Sequence, residues 1–265
     1  MSRATKGKPK ILFYDIETRP LLVYVWRLGE QVVRHHQLAE QGKKYDIICI
    51  SFAWNDGKPA KVFHWGYKAQ NSSKMIREFD KIIKQADITI GKNSDRFDVK
   101  HINTQRLIHN LPPLPEWVDN TDDVEKQLRK YFSFPSMSLD YVSKELGLGG
   151  KVKMEFSDWV DIVEKTNKAS FRKMCKYNQK DVEDTRAIWN WIQSHVKPKL
   201  NMATFHDDFC CSNCGSKNVR KDGIRRRGKT TYQMLYCRGH NGYAGRVAIT
   251  KSMKTEDIQK KKPSL

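Results

Sequence analysis

The sequence predicts a mixed α/β domain followed by a small, basic, cysteine-rich one. Three observations carry that reading. Apolar runs of strand character alternate with stretches at helical spacing through residues 10–203. Four of the six cysteines (Cys210, Cys211, Cys214 and Cys237) gather near the C-terminal end. Positive charge is densest around them, with 14 Lys+Arg against 5 Asp+Glu in residues 204–265.

Residues 1–9 read as a flexible basic lead. Ile11 to Tyr14 is a buried strand that runs into Asp15 and Glu17. Side chains at i and i+2 share a strand face, so both acids point the same way. Paired carboxylates are costly to bury, and a strand ending in solvated acids is the bland alternative. Residues 19–45, with Trp26 and His35-His36, read as a loop or short helix over this strand. A second strand covers 45–54, Asn55-Asp56-Gly57 is a turn, and a third strand covers 61–65. These three suggest an antiparallel meander.

A helix over 72–85 puts Met75, Ile76, Phe79, Ile82 and Ile83 on one face, with Ser72 or Ser73 as cap. A fourth strand spans 87–91. A helix over 96–110 ends before Pro112 and Pro113. A fifth strand is expected at 117–120. Short helices follow at 122–131 and 138–146, then a loop at Gly149-Gly150. A long helix spans 169–195, and Pro198 punctuates its end. No internal repeat is visible. Residues 252–265 form a Lys-rich tail whose last ten residues read as disordered.

The chain carries 49 Lys+Arg against 30 Asp+Glu, a net charge of +19. Such a surplus suits a polyanionic partner, nucleic acid first among them; a merely soluble basic surface is the bland alternative. No apolar run approaches the ~18 residues of a membrane span, and no apolar signal segment follows the basic start. A cytoplasmic location is expected, the host cytoplasm if the protein is phage-encoded. In such a compartment clustered cysteines argue for metal rather than disulfides. Cys49 and Cys175 read as buried free thiols.

Two further acidic stretches join the first. Ile90 to Asp98 runs from strand through turn into helix, with Asn93, Phe97 and Asp98; a capping role for Ser94 or Asp95 is the ordinary reading. In the long helix, Tyr177 and Asp181 lie one turn apart on one face. Asp184 beyond them reads as solvated helix face, and nothing in the spacing of His35, His36 and His101 assigns them a role.

Asp15-Ile16-Glu17, Asn93 with Phe97-Asp98, and Tyr177 with Asp181 together resemble the motifs of the DEDD superfamily of RNase H-like (DnaQ-like) 3′→5′ exonucleases. A Tyr four residues before the last Asp marks the DEDDy branch. The segment 123–150 resembles a stretch of stand-alone phage and bacterial members. The resemblance covers residues 10–195 and implies an RNase H-like, mixed five-stranded sheet flanked by helices. It implies two Mg²⁺ or Mn²⁺ ions. Asp15 would bridge them, Glu17 and Asp181 would serve the ion nearest the attacking water, and Asp98 would serve the other. Tyr177 would orient that water. Hard oxygen ligands suit these ions, and a metal pair suits phosphodiester hydrolysis. The second motif departs from many relatives, with three residues rather than two between Asn93 and Phe97.

Cys211-x₂-Cys214 and Cys237-x₂-His240 are paired knuckles separated by 22 residues. Thiolates and imidazole in this form are the usual ligands of one tetrahedral, structural Zn²⁺. Cys210 competes with Cys211, though knuckle spacing favours Cys211. The segment 230–236 alternates like a strand entering the second knuckle. The whole, residues 204–251, resembles a zinc ribbon. Its Arg225, Arg226 and Arg227 with Tyr232, together with Thr18 and Asn93 in the first domain, are the expected substrate contacts. The resulting expectation is a two-metal 3′→5′ exonuclease acting on single-stranded DNA ends. Its alternatives are an RNase D-like exoribonuclease and a nucleic-acid-binding protein with an inactive nuclease fold. Replication or recombination proteins stand as unidentified candidate partners.

Overall fold

Alternation in the first strand decides how the sheet is covered. In a computed structural model, residues 9–39, 46–112, 121–149, 152–197, 199–250, 255–261 and 263–264 are described. Strand β1 (Ile11–Thr18) sends Ile11 and Phe13 to one face and Leu12, Tyr14 and Ile16 to the other. Both sets are buried, so each face needs a helical cover. Helix α6 (Lys168–Ile192) supplies one through Val182, Ile188, Trp189 and Ile192. Helix α1 (Ser73–Ile83) supplies the other through Met75, Ile76, Phe79 and Ile83. Each fully buried Ile or Phe contributes ~1.5–3 kcal/mol.

Strand β2 (Ile47–Trp54) pairs antiparallel with β1, and β3 (Lys61–His64) pairs antiparallel with β2, as the meander predicts. Strand β4 (Ile88–Gly91) returns through α1 and lies parallel to β1, because a helix crossover reverses direction twice. Helix α2 (Asp98–Ile108) leads on to β5 (Thr121–Asp123), parallel to β4. The order is β3-β2-β1-β4-β5. The 117–120 strand expectation lies outside the described residues; the fifth strand observed begins at Thr121.

Asp123 accepts from the amides of Glu125 and Lys126 and so caps α3 (Val124–Tyr131). Ser138 caps α4 (Leu139–Glu145). Helix α5 (Phe156–Lys165) has no counterpart in the sequence reading; a Glu155/Asp158 capping box starts it. It stops at Thr166 in the left-handed region (φ 49°), and Asn167 caps α6 immediately after.

A separate antiparallel sheet, β6 (Val219–Arg227), β7 (Thr230–Cys237) and β8 (Gly242–Ile249), follows. Only β7 had been legible, since β6 is exposed along nearly its whole length and lacks alternation. The disordered-tail expectation is corrected where the tail is described. Helix α7 (Thr255–Gln259) buries Ile258 beside Leu235 and Val247, and the Ser264 amide donates to the Arg246 carbonyl at 2.8 Å.

Strand β4 pairs β1 only as far as Phe13, leaving Tyr14 to Thr18 projecting beyond it. The turn that ends β4 is tight: a Cβ on Gly91 would sit 2.4 Å from the Ser94 Cβ and 3.3 Å from the Tyr14 carbonyl oxygen. Gly91→Ala is therefore expected to cost ~1–3 kcal/mol through overpacking. Urea denaturation followed by circular dichroism reads this as a lower unfolding midpoint at unchanged slope.

Candidate active site and metal centres

Asp15 and Glu17 occupy the odd face of β1, which α6 covers, and α6 brings Asp181 to them. One carboxylate oxygen from each of Asp15, Glu17 and Asp181 lies within 4.8 Å of the others. All three are partly buried. Burial, with the charges of Asp98, Glu17 and Asp181, pushes the Asp15 carboxyl well above the usual range. The donor set is all oxygen and crowded with like charge, which suits a hard divalent cation.

Asp98 is brought to the same strand end but stands outside that group of three. It sits at the start of α2 and is buried, and its Oδ1 accepts the Ile16 amide at 3.0 Å. The missing β4 partner beyond Phe13 leaves that amide available. Burial first, then the Asp123 charge, pushes Asp98 up to about 7. Helix α2 is preceded by Phe97 at its cap, so neither Ser94 nor Asp95 caps it with its side chain. Asp95 instead accepts from Thr121 Oγ1 at 3.2 Å and pairs with Lys126 at 2.5 Å.

Tyr177 lies one turn before Asp181 and meets Trp159 edge-on at 6.2 Å between centroids. Burial, then the Asp181 and Glu17 charges, drives its phenol far above its ordinary value. Such a group does not ionise near neutral pH; it can orient a water but is a poor base. Asp184 is not solvated as expected: it is 3 % exposed and ion-paired with Lys180.

The sequence reading missed Asn178. Its amide donates to Asp15 Oδ2 at 2.6 Å, and its Oδ1 lies 3.6 Å from the Cys49 sulfur. Asn178 is fully buried. It occupies the stripe Phe171, Met174, Asn178, Val182, Thr185 and Trp189 that faces the sheet. A polar residue in that stripe was the available signal.

The second cluster gathers Cys211, Cys214, Cys237 and His240, each offering one atom within 4.8 Å of the rest. Cys211, not Cys210, belongs to it, although both are buried. The Cys214 and Cys237 sulfurs are 3.7 Å apart, close to the ~3.8 Å edge of a tetrahedron with ~2.3 Å Zn–S bonds. His240 presents Nδ1, 3.2 Å from Cys214 and 3.9 Å from Cys211. A hydrogen bond from Cys211 foremost, and the His240 ring also, bring the Cys214 thiol down to about 4. Asn213 donates to the Gln193 carbonyl at 2.6 Å, tying this cluster to the residue that follows α6.

Arg225, Arg226 and Arg227 lie exposed on β6, with Arg225 opposite Tyr232 on β7. The Arg246 guanidinium stacks over Tyr232 at 4.9 Å. Asn93 is exposed in a left-handed turn (φ 57°), its amide donating to Asp123 Oδ1 at 2.9 Å. Thr18 follows a bulge at the end of β1. His101 stacks edge-on against the exposed Phe97 at 4.4 Å.

A family model described as RNase_H superfamily matches residues 35–193. The chain belongs to the RNase_H superfamily. The superfamily match includes Asp98, Tyr177 and Asp181 and begins after β1. The fold also resembles the family B DNA polymerase from the hyperthermophilic archaeon Pyrobaculum calidifontis, with a TM-score of 0.54 and 14 % identity. That likeness covers 86 % of this chain and 32 % of the polymerase, and at this identity it speaks to fold alone. No curated protein matches the sequence. Among the described residues, no helix is long and apolar enough to cross a membrane.

A carboxyl held at about 7 when folded and near ~3.9 when unfolded binds its proton more tightly in the folded chain. Its contribution is complete below ~4 and is lost as pH rises through 7. In magnesium- and manganese-free buffer, stability is expected to fall by a few kcal/mol over this window, at ~1.4 kcal/mol per unit. Asp98→Asn should flatten that slope in urea melts at stepped pH.

Proposed function

We propose that this RNase_H superfamily protein is a metal-dependent 3′→5′ exonuclease of the DEDDy type, acting on single-stranded DNA. The observation that carries the reading is the convergence of Asp15, Glu17 and Asp181 within 4.8 Å at one strand end. Superfamily membership supports nuclease chemistry in general; the finer assignment rests on which acids meet and on the tyrosine beside them.

Asp15, Glu17 and Asp181 would hold two Mg²⁺ or Mn²⁺ ions, with Asp98 serving the second. Such ions supply charge for an attacking water and a departing 3′ oxygen. The protein's own contribution is placement. Strand β1 fixes Asp15 and Glu17, α6 fixes Asp181, and the Ile16 amide holds Asp98 in place. Tyr177 orients the water rather than taking its proton. Asn178 fixes one oxygen of Asp15 and leaves the other available.

We assign residues 10–203 to the catalytic domain and 204–251 to a zinc ribbon holding one structural Zn²⁺ on Cys211, Cys214, Cys237 and His240. Four protein ligands complete a tetrahedron and leave no catalytic position. The exposed Arg225, Arg226 and Arg227 would grip phosphate, with Tyr232, Thr18 and Asn93 as further contacts, on 3′ ends met in the cytoplasm.

Wild-type protein should shorten 5′-labelled single-stranded DNA from its 3′ end in Mg²⁺ or Mn²⁺, and RNA more slowly. Asp15→Ala and Asp181→Ala should each lower the rate by a factor of ~10³ or more; undiminished cleavage would reject the site. Tyr177→Phe should lower kcat with little change in oligonucleotide Kd. Freshly purified protein should carry one zinc per chain by elemental analysis, and Cys237→Ser should lose it. Exchanging Arg225, Arg226 and Arg227 together for Ala should reduce the salt dependence of binding by about two to three phosphate contacts.

A further inference from the structure

Eight of the sixteen exposed large apolar residues in the described chain lie between Leu21 and Val33. Trp26 is 101 % exposed, Leu28 96 % and Tyr24 74 %. Contiguous apolar exposure of this kind marks a contact surface on a folded protein. The segment is not a loose loop. Val23 and Leu38 form an antiparallel bridge, the Tyr24 amide donates to the Gln37 carbonyl at 2.8 Å, and the Ala39 amide donates to the Leu22 carbonyl at 2.9 Å. Gln37 reaches back across the ribbon, its Nε2 donating to the Tyr24 carbonyl at 3.3 Å. The Gln31 side chain donates to the Arg27 carbonyl at 2.6 Å within the tip.

This ribbon grows from the end of the strand that carries the acids. Thr18 follows Glu17 directly, and the Arg19 amide donates to the Asp46 carbonyl at 2.9 Å, pinning the ribbon's base beside β2. At ~3.3–3.6 Å per extended residue, Tyr24 and Trp26 lie no more than ~35 Å from Glu17. Between 19 and 38 the ribbon carries Arg19, Arg27 and Arg34 against Glu30, with His35 and His36 besides. Exposed rings interleaved with cations are what a single strand needs: the rings stack on bases and the cations meet phosphates. A second protein chain would find the same apolar side chains, but the surplus of positive charge favours a polyanion.

We infer that the ribbon of residues 19–38 is a second contact surface for a single-stranded nucleic acid, with Trp26 and Tyr24 stacking on bases upstream of the end held at Asp15 and Glu17. This deepens the nuclease reading and rests on it for the identity of the strand. Unlike Arg225 to Arg227, which project from the other sheet, the ribbon is continuous with the acidic strand itself. Its base at Arg19 lies two residues from Glu17, pinned to the Asp46 carbonyl.

The test compares wild-type protein with the pair Trp26→Ala/Tyr24→Ala and with Trp26→Phe. Fluorescence anisotropy of a labelled twelve-nucleotide single strand in Ca²⁺ reads binding without requiring hydrolysis. A thymidine 5′-phosphate p-nitrophenyl ester, too short to reach the ribbon, reads hydrolysis in Mn²⁺. The double variant should bind the oligonucleotide about tenfold or more weakly, Trp26→Phe should retain most affinity, and hydrolysis of the short ester should stay within about twofold. Arg27→Glu should also weaken binding and lower the salt slope. Unchanged oligonucleotide affinity in the double variant would overturn the proposal. So would unchanged affinity accompanied by a shift from dimer to monomer in sedimentation, which would assign the ribbon to a second copy of the chain. A wild-type protein that in Mn²⁺ hydrolyses neither the ester nor the oligonucleotide would reject the nuclease reading, while the anisotropy series would still decide the ribbon.

Discussion

Asp15, Glu17 and Asp181 repel one another, and the packed core around β1 has to hold them together against that repulsion. Three carboxylates within 4.8 Å, with Asp98 adding its field, oppose folding when no cation is present. The fold holds them together through elements that are secured elsewhere. Strand β1 is buried on both faces by α1 and α6, and α6 is twenty-five residues long with an apolar stripe along it. The core thus supplies the stability that the acids withdraw. A strained, charged site supported by a well-packed scaffold is what a divalent-cation site requires.

Topology explains where the acids can be reached. The crossover through α1 sets β4 parallel to β1 but stops its pairing at Phe13. The last five residues of β1 then have β2 on one side and the first turn of α2 on the other. That arrangement frees the Ile16 amide for Asp98 and turns Asp15 and Glu17 toward α6. Asn178 adds a buried hydrogen bond that selects one orientation of the Asp15 carboxylate. The Cys/His cluster offers a different chemistry, soft sulfur and imidazole, so under the proposed function the two centres would favour different metals.

Much of this was legible in the residues, and the misses have physical causes. Strand alternation placed the acids on one face, and helix periodicity placed Tyr177 and Asp181 one turn apart. Knuckle spacing favoured Cys211 while leaving Cys210 open, and the fold brings Cys211 into the cluster. Helix α5 was passed over although five of its ten residues are apolar, because the exposed Phe156 and Val160 blur the stripe of Trp159, Ile162 and Val163 and its start depends on a side-chain capping box. Strand β6 escaped because exposed strands need no hydrophobic alternation. Asp184 looked solvated because a buried carboxylate paired one turn away is indistinguishable, in sequence, from an exposed one. Residues 19–45 read as a loop or short helix over the first strand, since only the fold shows that Trp26 and Leu28 remain uncovered.

On the proposed function, the crowded carboxylates hold divalent cations. Isothermal titration of Mn²⁺ into zinc-loaded protein at neutral pH, compared with Asp15→Asn, tests it most directly. Saturable Mn²⁺ binding to the wild-type chain is expected, weakening at least tenfold in the variant with zinc content unchanged. Equal Mn²⁺ binding by both proteins, or none by either, would contradict it.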